Sequence, residues 1–326
     1  MLAHLRLTVP RELSEPVRTL LLEHACTTNV TVAEGACLRP EGDLVECDVA
    51  REQAGQLLDE LDRLGLDESG GIVIMTPTGT PFAAARRLEA AAPGHPDDAV
   101  IWESVEAQAE SGAVPTVSYL VFLVIAVSLA AVAVITDSAV LVVGAMVVGP
   151  EFSAIAAACA GLVLGRWGLV GRSLRLLVLT FAFAIAVVTV LALLATWTGA
   201  ITAADVTRPR PNTGFIWHPD LWSFVVALLA GAAGALALAV EKTATMVGVF
   251  ISVTTVPAAG NLALGLAVGE PSEILGSLAQ LGANIGSMIV SGTLLLAVVR
   301  VAWPWITARS ERLLGAQGPA TGGGAR

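Results

Sequence analysis

The sequence predicts an α-helical polytopic membrane protein with an N-terminal α+β, ferredoxin-like cytoplasmic domain, and three observations predict it. First, the 326-residue chain is 55% apolar and only 14% charged, against about 25% charged residues in a soluble domain. Second, charge is partitioned: residues 1–112 carry 20 Asp or Glu and 8 Arg, whereas residues 113–326 carry 8 Asp or Glu and 10 Lys or Arg. An acidic, water-facing part thus precedes a nearly neutral apolar part. Third, six apolar runs of membrane length follow one another in the second part. No basic patch is present to neutralise phosphates, which argues against nucleic-acid binding.

The first domain is expected over residues 1–80. "AHLRLTV" (3–9) alternates like a strand, and "ELSEPVRTLLLEHA" (12–25) has helical spacing with Pro16 confined to its first turn. "NVTVAEGACL" (29–38) and "DLVECDVA" (43–50) read as a hairpin turned through "RPEG". "EQAGQLLDELDRLGL" (52–66) places Leu57, Leu58, Leu61 and Leu64 on one helical side, and "GIVIMTP" (71–77) is a last strand. The order β-α-β-β-α-β is the ferredoxin-like pattern. Two roles fit it: an oligomerisation or packing module, or a regulatory domain for a small ligand. No nucleophile–base pair and no Gly-rich phosphate loop is found, so neither an enzyme nor a cofactor is expected.

The N-terminal residues lack the charged and apolar regions of a signal peptide. Cys26, Cys37, Cys47 and Cys159 lack metal-site spacing and are read as reduced structural thiols, with no metal. Residues 81–114 are expected to be a linker, ending in an acidic amphipathic helix over 98–112 that lies on the membrane surface or packs under the first domain.

A membrane-spanning helix needs about 20 apolar residues. Candidates run over 116–135, 139–164, 174–199, 221–240, 243–268 and 276–302, within a membrane domain of 115–302, and a largely disordered cytoplasmic tail is expected over 303–326. With the first domain in the cytoplasm, Arg166, Arg172, Arg175 and Lys242 fall inside, as do Arg300, Arg309 and Arg312 of the tail. Only Arg208 and Arg210 fall outside. The bias predicts both termini in the cytoplasm. Trp217, Trp222, Trp303 and Trp305 stand at expected interfaces.

The two halves of this domain resemble each other. "TDSAVLVVGAMVVGP" ends at Pro150 and "EKTATMVGVFISVTTVP" at Pro257; "AGLVLG" (160–165) matches "LGLAVG" (264–269). The offset is about a hundred residues with small gaps. Three spans per copy is an odd number, so the second copy enters upside down, a plan common among secondary transporters.

Polar groups at membrane depth mark a candidate site. Pro150 and Pro257 interrupt their spans near the expected midplane, and paired broken helices point to a transport site. Glu151 follows at once, and a carboxylate there is expected to face a cavity or a partner. Gln280, Asn284, Ser287 and Ser291 share one helical face, and Gly144, Thr254, Thr255 and Asn261 complete the expected lining for a substrate or ion. Interhelical hydrogen bonding is the plainer reading of the stripe. Gly231, Gly234, Gly260 and Gly265 would allow close helix approach.

At "SYLVFLVIAVSLAAVAVITDSAVLVVGAMVVGP", "GVFISVTTVPAAGNLALGLAVG" and "LGANIGSMIVSGTLLL" the chain resembles the bacterial multi-pass proteins called domain of unknown function 389. The resemblance covers about 115–300, carried by Gly144, Ala145, Met146, Pro150 and Pro257. It implies a membrane protein and assigns neither substrate nor activity. Many relatives have an apolar residue after the first proline, so the resemblance implies no family-wide role for Glu151. The expectation is therefore a non-enzymatic protein of the bacterial cytoplasmic (inner) membrane that binds or moves a small solute or ion between two repeats. Lipid and further copies of the chain, in a homo-oligomer, are its expected partners. The alternative is a channel-like oligomer, or a sensor or scaffold that transports nothing.

Overall fold

The computed structural model describes residues 2–92, 99–217, 220–241 and 254–314, with side chains as far as Ala302. Lys242 and most of the first half of the expected fifth span, Trp303 and Trp305 as side chains, and residues 315–326 of the tail lie outside what is described. The chain divides into two compact units, Met1–Ser104 with Arg300–Arg326, and Val105–Val299.

In the first unit, strands β1 (Leu2–Pro10), β2 (Thr27–Leu38), β3 (Glu41–Ala50) and β4 (Gly71–Met75) form one antiparallel sheet in the order β2-β3-β1-β4. β1 buries Leu5, Leu7 and Val9 at period two and exposes Arg6 between them. Against that face lie α1 (Ser14–Glu23), through Val17 and Leu21, and α2 (Arg51–Arg63), through Ala54, Leu57, Leu58 and Leu61. Each such buried leucine contributes about 1.5–3 kcal/mol. Pro16 sits in the first turn of α1, where no intrahelical donor is lost. The expected linker is corrected in part: Ala83–Ala91 form a helix, α3, and Phe82, Leu88 and Ala92 pack against the same core. Apolar spacing inside an Ala-rich run signalled this helix.

The second unit is helical. The acidic helix is present as α4 (Trp102–Gly112), whose Glu110 is bonded by Arg166 Nη1 at 3.1 Å and whose Glu106 also pairs with Arg166. Then follow α5 (Val117–Ile135), α6 (Ala139–Val148), α7 (Glu151–Leu164), α8 (Trp167–Trp197), α9 (Leu221–Ala239), α10 (Thr255–Val268) and α11 (Pro271–Leu314). Among the described residues four helices are long and apolar enough to cross a membrane, or five if α6 and α7, bent by 55° at their break, count as one span. The fifth expected span, 243–268, is represented among the described residues only by the 14-residue α10.

Two expected boundaries move. α8 starts at Trp167, inside the expected loop 165–172, and its 31 residues run about 46 Å, longer than a core about 30 Å thick. α11 continues to Leu314, beyond the expected end at 302, because no Gly or Pro after Pro304 breaks it before Gly315.

The internal repeat is visible as geometry. α5 and α9 each have 19 residues and start 104 positions apart; α7 and α10 each have 14 and start 104 apart. Two residues beyond α5 and α9, Asp137 and Glu241 both take positive φ, at 49° and 56°. α7 and α10 end at Gly165 and Gly269, both at φ 72°, a left-handed cap that glycine adopts without steric cost. α5 and α9 begin alike too: Thr116 Oγ1 accepts from Tyr119 N at 3.1 Å and Asp220 Oδ1 from Ser223 N at 2.6 Å.

Packing depends on missing side chains. A Cβ on Gly234 of α9 would strike the Phe152 ring of α7, and one on Gly260 of α10 would meet Ala130 and Ala131 of α5. Gly231 likewise adjoins Met288 and Ser291, and Gly265 adjoins Glu273 and Ile274. Each 14-residue helix thus packs against a long helix of the other half.

A candidate site where two half-helices begin

The break between α6 and α7 is built from Gly149 and Pro150. Gly149 leaves the helical conformation at ψ 129°, and Pro150 caps α7. Proline cannot donate, so the helical ladder stops there; the Pro150 carbonyl instead accepts from Ser153 Oγ at 2.9 Å. Glu151 is the first residue of α7, twelve positions after Ala139, where α6 begins.

Thr255, the first residue of α10, stands 104 positions after Glu151 and meets it: Thr255 Oγ1 donates to Glu151 Oε1 at 2.7 Å. Both residues are buried, Glu151 at 8% exposure and Thr255 at 1%. The other carboxylate oxygen, Glu151 Oε2, has no hydrogen-bond partner among the described residues. Beside it lies Gly149, where any Cβ would run into Oε2 and Val256.

One residue earlier, Thr254 caps α10 and accepts two amides from α11, Gln280 Nε2 at 3.1 Å and Asn284 Nδ2 at 2.9 Å. Gln280 also donates to Asn284 Oδ1 at 3.4 Å. Gln280 Oε1 is buried and unpartnered. Thr254 and Asn284 also line a cavity of about 260 Å³ bordered by Phe215, Asp220, Trp222 and Ser223 at the start of α9. The interhelical bonding weighed for the polar stripe is thus present at Gln280 and Asn284. Ser287 Oγ bonds back to Ala283 O of its own helix at 2.6 Å.

A second buried network stands apart. Arg210 Nη1 donates to Asn261 Oδ1 at 2.7 Å and Nη2 to Glu273 Oε1 at 2.6 Å; Asn261 Nδ2 donates to Glu273 Oε2 at 2.7 Å and to Ser277 Oγ at 2.8 Å. The side chains of Arg210 and Glu273 are only 2% and 4% exposed. Nearby, Arg208 Nη2 donates to Ile135 O at 2.5 Å, and Asn212 and Thr213 donate to Asp137, Thr213 Oγ1 at 2.8 Å.

The expected site therefore splits. Glu151, Thr254, Thr255, Gln280 and Asn284 come together around the helix starts. Asn261 belongs to the Arg210 network, Ser287 turns to its own helix, and Gly144 is exposed on α6 with open space where a Cβ would stand. Pro257 does not break α10: it is the third residue of that helix, where its missing N–H costs no intrahelical bond. The counterpart of Pro150 by helix position is Thr254. Arg210, Glu273 and Ser277 were missed, because Arg210 and Glu273 fall in segments read as loops. Their signal was opposite charge in two segments expected on one membrane face. Gly149 was overlooked too, although a Gly-Pro pair before a carboxylate marks a helix break.

Membrane-length apolar helices, with interior polar groups gathered where two shorter helices begin, are those of a helical protein compatible with several membrane crossings, with a helix-break site. Residues 146–290 match the model of the family described as Domain of unknown function (DUF389). The match runs from the end of α6 into α11 and so contains every residue of the break site. No curated protein and no solved structure matches the chain.

Proposed function

We propose that the protein is a non-enzymatic bacterial cytoplasmic-membrane protein that binds and moves a small solute or ion at the meeting point of two inverted repeats. The observation that carries this reading is the hydrogen bond between Glu151 and Thr255, equivalent first residues of two equal half-helices. Half-helices meeting at mid-depth, with freed backbone groups and polar side chains, are the recurrent plan of solute sites in transporters.

Six crossings and inversion are supported by contacts at the helix ends. α4, just before α5, holds Arg166, just after α7; α5 and the α6–α7 pair therefore make one crossing out and one back. The far end of α5, at Asp137 and Ile135, is bonded to residues 208–213, which lead into α9. α9 thus starts on the face where α5 ends, and the second half runs in the opposite sense. Arg210 then ties that face to Glu273, just after α10. The sheet order β2-β3-β1-β4 supports the ferredoxin-like reading of the first unit, proposed as a regulatory or assembly module.

Uptake by proteoliposomes tests the reading, using radiolabelled amino acids, carboxylates, sugars and sodium with empty liposomes as baseline. At least one probe is expected to enter above baseline and to do so tenfold or more slowly with Glu151→Gln. Baseline uptake of every probe, or uptake indifferent to Glu151, would remove Glu151 from any transport path.

A further inference from the structure

We infer that the break site holds one alkali-metal cation, bound between Glu151 Oε2 and Gln280 Oε1. The inference deepens the proposed function and rests on its placement of the site, not on transport.

Two oxygen atoms carry it. Glu151 Oε2 and Gln280 Oε1 are both buried acceptors without a donor among the described residues. A buried acceptor left unpaired costs about 1–3 kcal/mol, and more when charged, so two of them in one polar cluster need a common explanation. They are one link apart: Glu151 is bonded to Thr255, and Gln280 to the adjacent Thr254. The Thr255, Gln280 and Asn284 donors of the cluster are already engaged. The Thr255 hydroxyl goes to the other Glu151 oxygen, and the Gln280 and Asn284 amides converge on Thr254. A single cation would serve both free oxygens at once.

The chemistry narrows the ligand. Oxygen donors alone suit a hard cation. A single carboxylate neutralises one positive charge, so a divalent ion would leave a net charge buried at mid-membrane, at high cost. Carbonyls in the last turn of α6 lack intrahelical donors by helix geometry and end beside Gly149, the residue adjoining Oε2. They are further oxygens of the same kind. The cavity floored by Thr254 and Asn284 borders Asp220, a carboxylate held ionised by hydrogen bonds from Ser223. It offers a cation an acidic approach.

The test uses the full chain purified in nanodiscs, melted in sodium, lithium or potassium chloride with choline chloride holding ionic strength constant. A ligand of the native state raises Tm with concentration. Sodium or lithium is expected to raise the wild-type Tm by several degrees over choline. Glu151→Gln, which keeps the shape and removes the charge, is expected to abolish that shift. Gly149→Ala, which removes no polar group but fills the space at Oε2, is expected to weaken it tenfold or more in concentration, which keeps the inference testable if Glu151→Gln fails to fold. A shift unchanged by both substitutions would overturn the inference, as would stabilisation by acid alone with no alkali effect. Sodium stabilisation without uptake by proteoliposomes would instead remove transport and leave the cation site standing.

Discussion

Arg210 and Glu273 form the most deeply buried ion pair in the described part of the chain, and its hydrogen bonds to Asn261 and Ser277 leave little unsatisfied. Removing one partner strands the other charge, which costs about 3–5 kcal/mol. Arg210→Met is therefore expected to lower stability by about that amount, and Arg210→Met with Glu273→Met by clearly less, measured as Tm and as folded yield in detergent. In the first unit, burial pushes the Cys47 thiol up to about 12 and the Cys26 thiol to about 11. At pH 8 iodoacetamide is expected to modify the half-buried Cys37 and to spare Cys26 and Cys47 until the domain unfolds, as read by mass spectrometry. The sign for stability follows. The unfolded chain loses the Cys47 proton near 9.0 and the folded one near 12, so the domain loses stability as pH rises across that window. Glu151 was legible as a residue, since a carboxylate inside an apolar run is costly wherever it points. Arg210 was not, because a charge in a loop carries no such cost until the loop is seen to be buried.

Among elements, the half-helices show what a sequence pattern conveys and where it misleads. The repeat could be read from charged turns and from the two runs ending in Gly165 and Gly269. Its register was mistaken by three residues, because the two prolines invited alignment on each other. The physics lies in where a helix begins, and proline is tolerated at several positions of a first turn: Pro150 precedes α7, whereas Pro257 lies inside α10. The helix ends give the true register. Both glycine caps sit in the left-handed region, so Gly165→Ala and Gly269→Ala are each expected to cost about 1 kcal/mol. The Asp137 turn is a different device. A non-glycine residue at φ 49° holds Asn212 and Thr213 through its carboxylate. Asp137→Gly is expected to relieve the backbone yet loosen residues 208–213, read as faster proteolysis of that segment.

For the molecule as a whole, the proposed two-faced arrangement makes a simple claim about accessibility. In a background with its natural cysteines replaced by serine, cysteines introduced at Glu110 and Arg172 are expected to react with a membrane-impermeant maleimide from one side of a sealed vesicle. Cysteines at Asp137 and Asn212 are expected to react only from the other. Labelling of all four from one side would undo both the six crossings and the inversion. The four or five membrane-length helices were legible because apolar length and charged turns are strong signals in such a chain. The extent of α8 and α11 was not, since a helix leaving the membrane meets no compositional boundary at the interface.

Two pairs of equal helices carry one more consequence, which concerns how the chain is made. α5 matches α9 and α7 matches α10 in length, so in the proposed inverted arrangement these pairs present the same apolar thickness whichever end is threaded first. The machinery that inserts the nascent chain then finds no guidance in hydrophobic matching, and the decision falls to a few charges flanking the spans. Replacing Arg166, Arg172 and Arg175 with glutamine is expected to yield two populations embedded in opposite senses, distinguishable by protease protection of the first domain.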